Sequence, residues 1–187
     1  RLVVADRYTG QPIPNVTVLA DGSPVTSTPD GLEPIPLSAE SVAVEVSAPG
    51  YEGVRTTLSR GAPSEWQIGL RPNVLSGKLT DSGTAAGIAG ANVVVVAPNG
   101  AELQATTTAD GTFIVEGVPE GAVLRVSSAD YGTSEVPIEQ QTSIEMAMAP
   151  TVVTGQVLDV TGQAVPDARI VATNGTAETF SGPDGTF

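Results

Sequence analysis

Thr107-Thr108-Ala109-Asp110-Gly111-Thr112-Phe113 decides how this chain is read, because the sequence says it more than once. It returns as Gly182-Pro183-Asp184-Gly185-Thr186-Phe187 and, worn down, as Thr28-Pro29-Asp30-Gly31-Leu32. In each copy a polar run meets Asp-Gly, and in two of the three an aromatic follows. Asp-Gly tolerates the positive φ of a tight hairpin turn, so each copy reads as strand, turn, strand.

Working outward, three starts align: Leu2-Val3-Val4-Ala5-Asp6, Gly77-Lys78-Leu79-Thr80-Asp81 and Gly155-Gln156-Val157-Leu158-Asp159. Their aspartates are roughly 75 residues apart, a period too long for a solenoid unit and right for a small domain. A second strand follows each start, with alternating apolar positions at Val16/Val18/Ala20, Ala91/Val93/Val95 and Ala168/Ile170/Ala172. Such alternation buries one face and wets the other. Asp21-Gly22, Asn99-Gly100 and Asn174-Gly175 then close hairpins. In the two longer copies a Tyr (Tyr51, Tyr131) follows a further alternating strand, and Leu70-Arg71-Pro72 and Met148-Ala149-Pro150 end the copies. Proline there stops the ladder, and the link Leu70-Arg71-Pro72-Asn73 leaves little slack, which predicts rigid packing of the first two copies. The expected domains are 1–72, 73–150 and an incomplete 151–187, with seven strands in each complete copy.

Composition agrees with an all-β chain. Apolar residues make up 40% of 187, with 21 Gly and 15 Pro, and no window holds a helical period. The longest apolar run, Val93 to Ala97, is far too short to cross a bilayer, so this segment is not expected to insert in a membrane. A net charge of −13, with Lys78 as the one lysine, argues against nucleic acid as a partner. There are no cysteines and no histidines, which removes disulfides, thiolate metal sites and Ser-His-Asp or Cys-His catalysis. Lys78 falls at an outward position of a first strand, where a solvated charge is ordinary. The expectation is a protein that is not an enzyme.

The pattern Gly-x-Val-x-Asp, Pro-φ-x-Gly-Ala-x-Val, Thr-x-x-Asp-Gly-x-Phe and a later Tyr resembles the carboxypeptidase regulatory-like repeat. The resemblance extends over 75–149, partly over 1–72, and over 151–187 up to its last residue. It implies an all-β fold of tandem seven-stranded Greek-key β-sandwiches, transthyretin-like or Ig-like, with the third copy truncated. It also implies a secreted or cell-surface bacterial setting. The first copy departs from the pattern: Asn15 stands for the Gly of the second strand, and no Phe follows Asp30-Gly31. The related B-type repeats of surface fibres carry a Lys–Asn isopeptide bond. Here Leu79 occupies the position of the lysine, and 142–149 contains no Asn.

Site expectations are few. With strands running up and down in order, Asp81, Asp110 and Asp130 fall at one end of the second copy, where clustered carboxylates could bind calcium. Against this, Asp in such turns caps its own backbone without an ion. Tyr51 and Tyr131 read as sandwich-corner residues and Trp66 as a surface aromatic able to stack on a sugar. The functional expectation is a structural, spacer or self-assembling module of a secreted, cell-surface or extracellular filament protein. Its partners would be further copies or neighbouring domains of the same chain. The alternatives are a carbohydrate-binding accessory module of a secreted enzyme and a virion surface decoration domain. The third copy reaches Phe187 with Val157, Ile170, Ala172 and Phe187 awaiting cover, so the natural chain is expected to continue, or a neighbouring molecule to complete the sheet.

Overall fold

Alternation turns into strands along the whole chain. The computed structural model describes residues 2–25, 32–33, 35, 40–61, 65–172 and 177–187, and the described residues form sixteen strands and no helix. Contact density divides the chain into two units, Arg1–Ala129 with Thr133–Ala149, and Asp130–Gly132 with Pro150–Phe187.

The larger unit holds two seven-strand sets built to one plan. The first comprises β1 (Leu2–Asp6), β2 (Thr17–Ala20), β3 (Ser23–Val25), β4 (Leu32–Glu33), β5 (Ser41–Ser47), β6 (Val54–Ser59) and β7 (Trp66–Leu70). They form a three-stranded sheet, β4-β1-β7, and a four-stranded sheet, β3-β2-β5-β6. The second comprises β8 (Val74–Asp81), β9 (Asn92–Val96), β10 (Glu102–Thr106), β11 (Thr112–Glu116), β12 (Val123–Ser128), β13 (Gly132–Pro137) and β14 (Ser143–Met148). Its sheets, β11-β8-β14 and β10-β9-β12-β13, repeat the first strand for strand. β1 with β7 and β8 with β14 are parallel, first and last strands running side by side, whereas β4 with β1, β11 with β8 and the pairs of β2 and β9 with their neighbours are antiparallel.

Buried positions come from both sheets of each set, as a two-layer core requires. In the first, Leu2, Val4, Ile68 and Leu70 meet Val18, Val42, Val44, Val46 and Leu58 in one cluster. In the second, the expected inward positions Ala91, Val93 and Val95 are buried together with Leu79, Ile88, Phe113, Val115, Leu124 and Val126.

Phe113 is seated by a missing side chain. It pairs with Gly77, and a Cβ on Gly77 would lie 2.3 Å from the ring Cζ and 2.7 Å from the Ile144 carbonyl oxygen. The third copy repeats this: Gly155 and Phe187 exchange backbone hydrogen bonds, and a Cβ on Gly155 would lie 2.6 Å from the Phe187 Cζ. In the first copy Leu2 and Glu33 hold the same register, with Leu2 fully buried. The first-copy Phe is therefore absent where its Gly is also absent.

Asn15 is a departure in residue type but not in conformation. Asn15 (φ 57), Gly90 (φ 70) and Asp167 (φ 55) share the left-handed region, which Asn, Asp and Gly tolerate best. Asp21 (φ 46) and Gly22 (φ 78) form the two-residue hairpin between β2 and β3, whereas Asn99-Gly100 lies in a five-residue loop, 97–101. The turns at Asp30-Gly31 and Asn174-Gly175 lie outside the described residues.

The smaller unit contains β15 (Arg169–Val171) paired with β16 (Glu178–Phe180), and bridges Gln156↔Thr186 and Leu158↔Ala164. Val157, Ile170 and Phe187 are half-buried and Ala172 is exposed, where Leu79, Val93, Phe113 and Val95 of the second copy are buried.

Phe113→Ala is expected to cost roughly 3–5 kcal/mol, the usual range for emptying a buried aromatic site. Gly77→Ala should destabilise the parent and cost much less in the Phe113→Ala background, because the ring it would strike is gone. A double-mutant cycle by chemical denaturation reads the coupling; additive losses would separate the two residues.

Candidate functional site

Five aspartates sit at matching turns, and each has a local task. The aspartate ending the first strand folds back on its own loop. Asp6 Oδ1 accepts from the Tyr8 and Thr9 N–H groups (both 2.8 Å), Asp81 Oδ1 from Gly83 and Thr84 (both 2.8 Å), and Asp159 Oδ1 from Thr161 (2.8 Å) and Gln163 (2.9 Å). These are side chains mimicking a backbone turn, as short acidic residues do.

Asp6 also receives the Tyr51 hydroxyl on Oδ2 at 3.2 Å, so the corner tyrosine of the first copy latches the strand end. Burial pushes the Asp6 carboxyl up. The Thr9 and Tyr8 N–H donors and the Thr9 and Tyr51 hydroxyls outweigh it and hold the group below the usual range. Burial and the neighbouring Asp6 charge push the Tyr51 phenol up.

The turn before the fourth strand uses Asp differently. The Thr108 hydroxyl, then the Thr112 hydroxyl at 2.9 Å and the Thr112 N–H, converge on Asp110 Oδ1, lowering its pKa to about 2. Asp184 is held low in the same way by the Thr186 hydroxyl at 2.6 Å and the Thr186 N–H at 3.2 Å. Gly111 (φ 82) completes the turn where a Cβ would lie 2.2 Å from the Leu79 carbonyl oxygen.

β8 ends at Asp81, and β11 begins just past Asp110 with Thr112 paired to Lys78, so these two carboxylates share an end of the three-stranded sheet. Asp130 is exposed, and its backbone carbonyl accepts from the Thr151 N–H (2.6 Å) and hydroxyl (3.0 Å). Among the described residues no three His, Cys, Asp or Glu side chains gather as a metal-binding group. The turn hydrogen bonds of Asp81 and Asp110 engage Oδ1 of each carboxylate. Lys78 is exposed, as expected of its outward position.

Trp66 requires a correction. It lies in β7, half-buried, packed against the first core, because the inward positions Ile68 and Leu70 continue its face of the strand. It is not the exposed surface aromatic expected from the sequence. An open depression of about 500 Å³ lies beside Arg7, Tyr8, Glu120, Pro137 and Gln140; both charge signs line it, and no reactive pair converges there.

Two features carry more than the sequence revealed. Thr107 is buried, its hydroxyl donating to Ile88 O (2.6 Å) and accepting from Ala91 N–H (2.9 Å). Ser181 does the same between Val165 O (2.7 Å) and Ala168 N–H (2.9 Å). The opening motif contained this residue, but only the matching of Ser181 to Thr107 could have flagged it.

The other feature is Arg71, 8% exposed between the two complete copies. Its Nε donates to Glu52 Oε2 (2.9 Å), Nη1 to Pro72 O (3.0 Å) and Nη2 to Val118 O (2.9 Å), which ties the first copy to a loop of the second. Backbone bonds reinforce it: Asn73 N–H donates to Gly50 O (2.9 Å), and Val118 N–H to Asn73 O (2.8 Å).

Comparison with known proteins gives a family for one copy. No curated protein matches the chain. Similar solved structures include the Bacillus anthracis TIE protein, with 13% identity and a TM-score of 0.37 over 100% of this chain and 41% of that one. A streptococcal ancillary pilin has 14% identity and a TM-score of 0.33 over 80% and 61%. The shaft pilin SpaA from Lactobacillus rhamnosus GG has 11% identity and a TM-score of 0.36 over 81% and 97%. The chain thus spans less than two thirds of the first two.

Asp110 should titrate near pH 2 in a carboxyl-detected NMR experiment, against about 3.9 for an ordinary Asp. Because its folded value is depressed, its contribution to stability is full above the unfolded value and is lost as pH falls through about 2. The stability gap between parent and Asp110→Asn should accordingly close on acidification; a midpoint near 3.9 would remove the hydrogen bonds from the account.

The family model of the carboxypeptidase regulatory-like domain matches residues 74–149, so the second copy, β8 to β14, is a domain of that kind.

Proposed function

We propose that the chain is a non-enzymatic structural array: tandem β-sandwich modules of a secreted, cell-surface or filament-forming protein, acting as spacer or self-assembling segment. The observation that carries this reading is the repetition of one seven-strand plan, with β7 passing into β8 through a three-residue link in which Arg71 and Asn73 are each hydrogen-bonded to both copies. Supporting it, the polar groups that recur from copy to copy are engaged in turns and loop ties. The chain has neither His nor Cys. Its partners are then neighbouring domains or further copies of itself rather than a small substrate.

Immunogold labelling of intact source cells with antibodies raised against the chain tests the location. Gold on the outer surface or on extracellular fibres is the expected result; label confined to the cell interior would contradict the proposal. Titration of the chain with polysaccharides, followed by Trp66 fluorescence and calorimetry, separates it from the carbohydrate-module alternative. Saturable heat with a soluble polysaccharide would favour the alternative.

A further inference from the structure

Strand direction at the ends of each complete copy has a mechanical consequence. The chain enters the first set on β1 and leaves it on β7, its parallel neighbour, with pairs from Leu2↔Trp66 to Asp6↔Leu70. It enters the second on β8 and leaves on β14, also parallel, with pairs from Ser143↔Ser76 to Met148↔Asp81. The ladders are closed at the far end by Arg7 N–H to Leu70 O (2.9 Å) and Ser82 N–H to Met148 O (3.0 Å), and Ser76 N–H binds Thr142 O (2.9 Å).

Pulling on a chain built this way draws the first strand out of one end of the sheet and the last strand out of the other. The two slide against each other in shear, so every hydrogen bond between them is strained at once. Antiparallel first and last strands would leave from the same end and peel apart one bond at a time. A shear ladder therefore raises the barrier to forced unfolding, which is governed by the unfolding rate rather than by stability.

The link between the copies suits the same task. β7 passes into β8 through Arg71, Pro72 and Asn73, and the Arg71 guanidinium and the Asn73 backbone each bond both copies. Tension is handed from one ladder to the next with no slack segment between them. The matching residues at the second junction are Ala149 for Arg71 and Gly132 for Glu52, so the guanidinium–carboxylate pair belongs to the first junction.

We infer that the two complete copies bear tensile load, with the β1/β7 and β8/β14 ladders as the resisting elements and Arg71 as the tie between them. This deepens the structural-array reading and rests on it for its biological sense.

Single-molecule force spectroscopy of the whole 187-residue chain between inert handles tests it. Because the chain has no cysteine, Ser76→Cys with Ser143→Cys gives a second attachment at one end of the paired strands, which peels the same ladder. Lys78→Cys with Glu145→Cys, an exposed pair in register, serves if the first variant does not fold. Terminal pulling should give two discrete events, each releasing roughly 25 nm at about 3.4 Å per residue. Their forces should be at least twofold above the peeling force. Equal forces in the two geometries, or gradual extension without discrete events, would overturn load bearing. Either result would leave the surface-array reading to the labelling experiment, which fails or succeeds separately.

Discussion

The contact between Phe113 and Gly77 is the constraint on which the second copy depends. A ring is laid directly over a backbone that has no side chain, so β8 and β11 can meet in one register only. From that register follow the Leu79 position facing the core, the Asp110 turn closing over Leu79, and the arrival of β14 on the other side of β8. A sandwich of this size buries only about 60% of its unfolded surface, so one well-seated aromatic is a large part of its core. The third copy keeps the pair as Gly155 and Phe187, and the first exchanges both members, with Leu2 filling its own core.

Among the described residues, the polar groups that recur from copy to copy bond the backbone and neighbouring hydroxyls. Asp6, Asp81 and Asp159 hold the loop after the first strand; Asp110 and Asp184 gather hydroxyls; Thr107 and Ser181 pin one loop to another. What recurs is a geometry of turns and strand ends.

Much of this was legible in the sequence, and the reasons are physical. Period-two alternation exposed Ala91, Val93 and Val95 as core positions of the second copy, and Asp-Gly exposed the turns, since few residues accept positive φ. Asn15 looked like a defect until its φ matched those of Gly90 and Asp167. Trp66 was misjudged because a residue without a counterpart in the other copy seems external, while strand alternation with Ile68 and Leu70 turns it inward. Arg71 could not be read at all: a buried guanidinium depends on acceptors from Glu52 and Val118, far apart in sequence and joined only by the fold. The aspartates were located, but the sequence could not tell a carboxylate turned on its own loop from one offered to an ion.

First and last strands that resist load must form one cooperative unit with the rest of each copy. Native-state hydrogen exchange on the whole chain tests this most directly, since local opening and global unfolding separate by their free energies. The amides that close the β1/β7 and β8/β14 ladders should exchange only through global unfolding, as slowly as those of β9 and β12. Exchange of β7 or β14 by local fraying while β9 and β12 stay protected would contradict it.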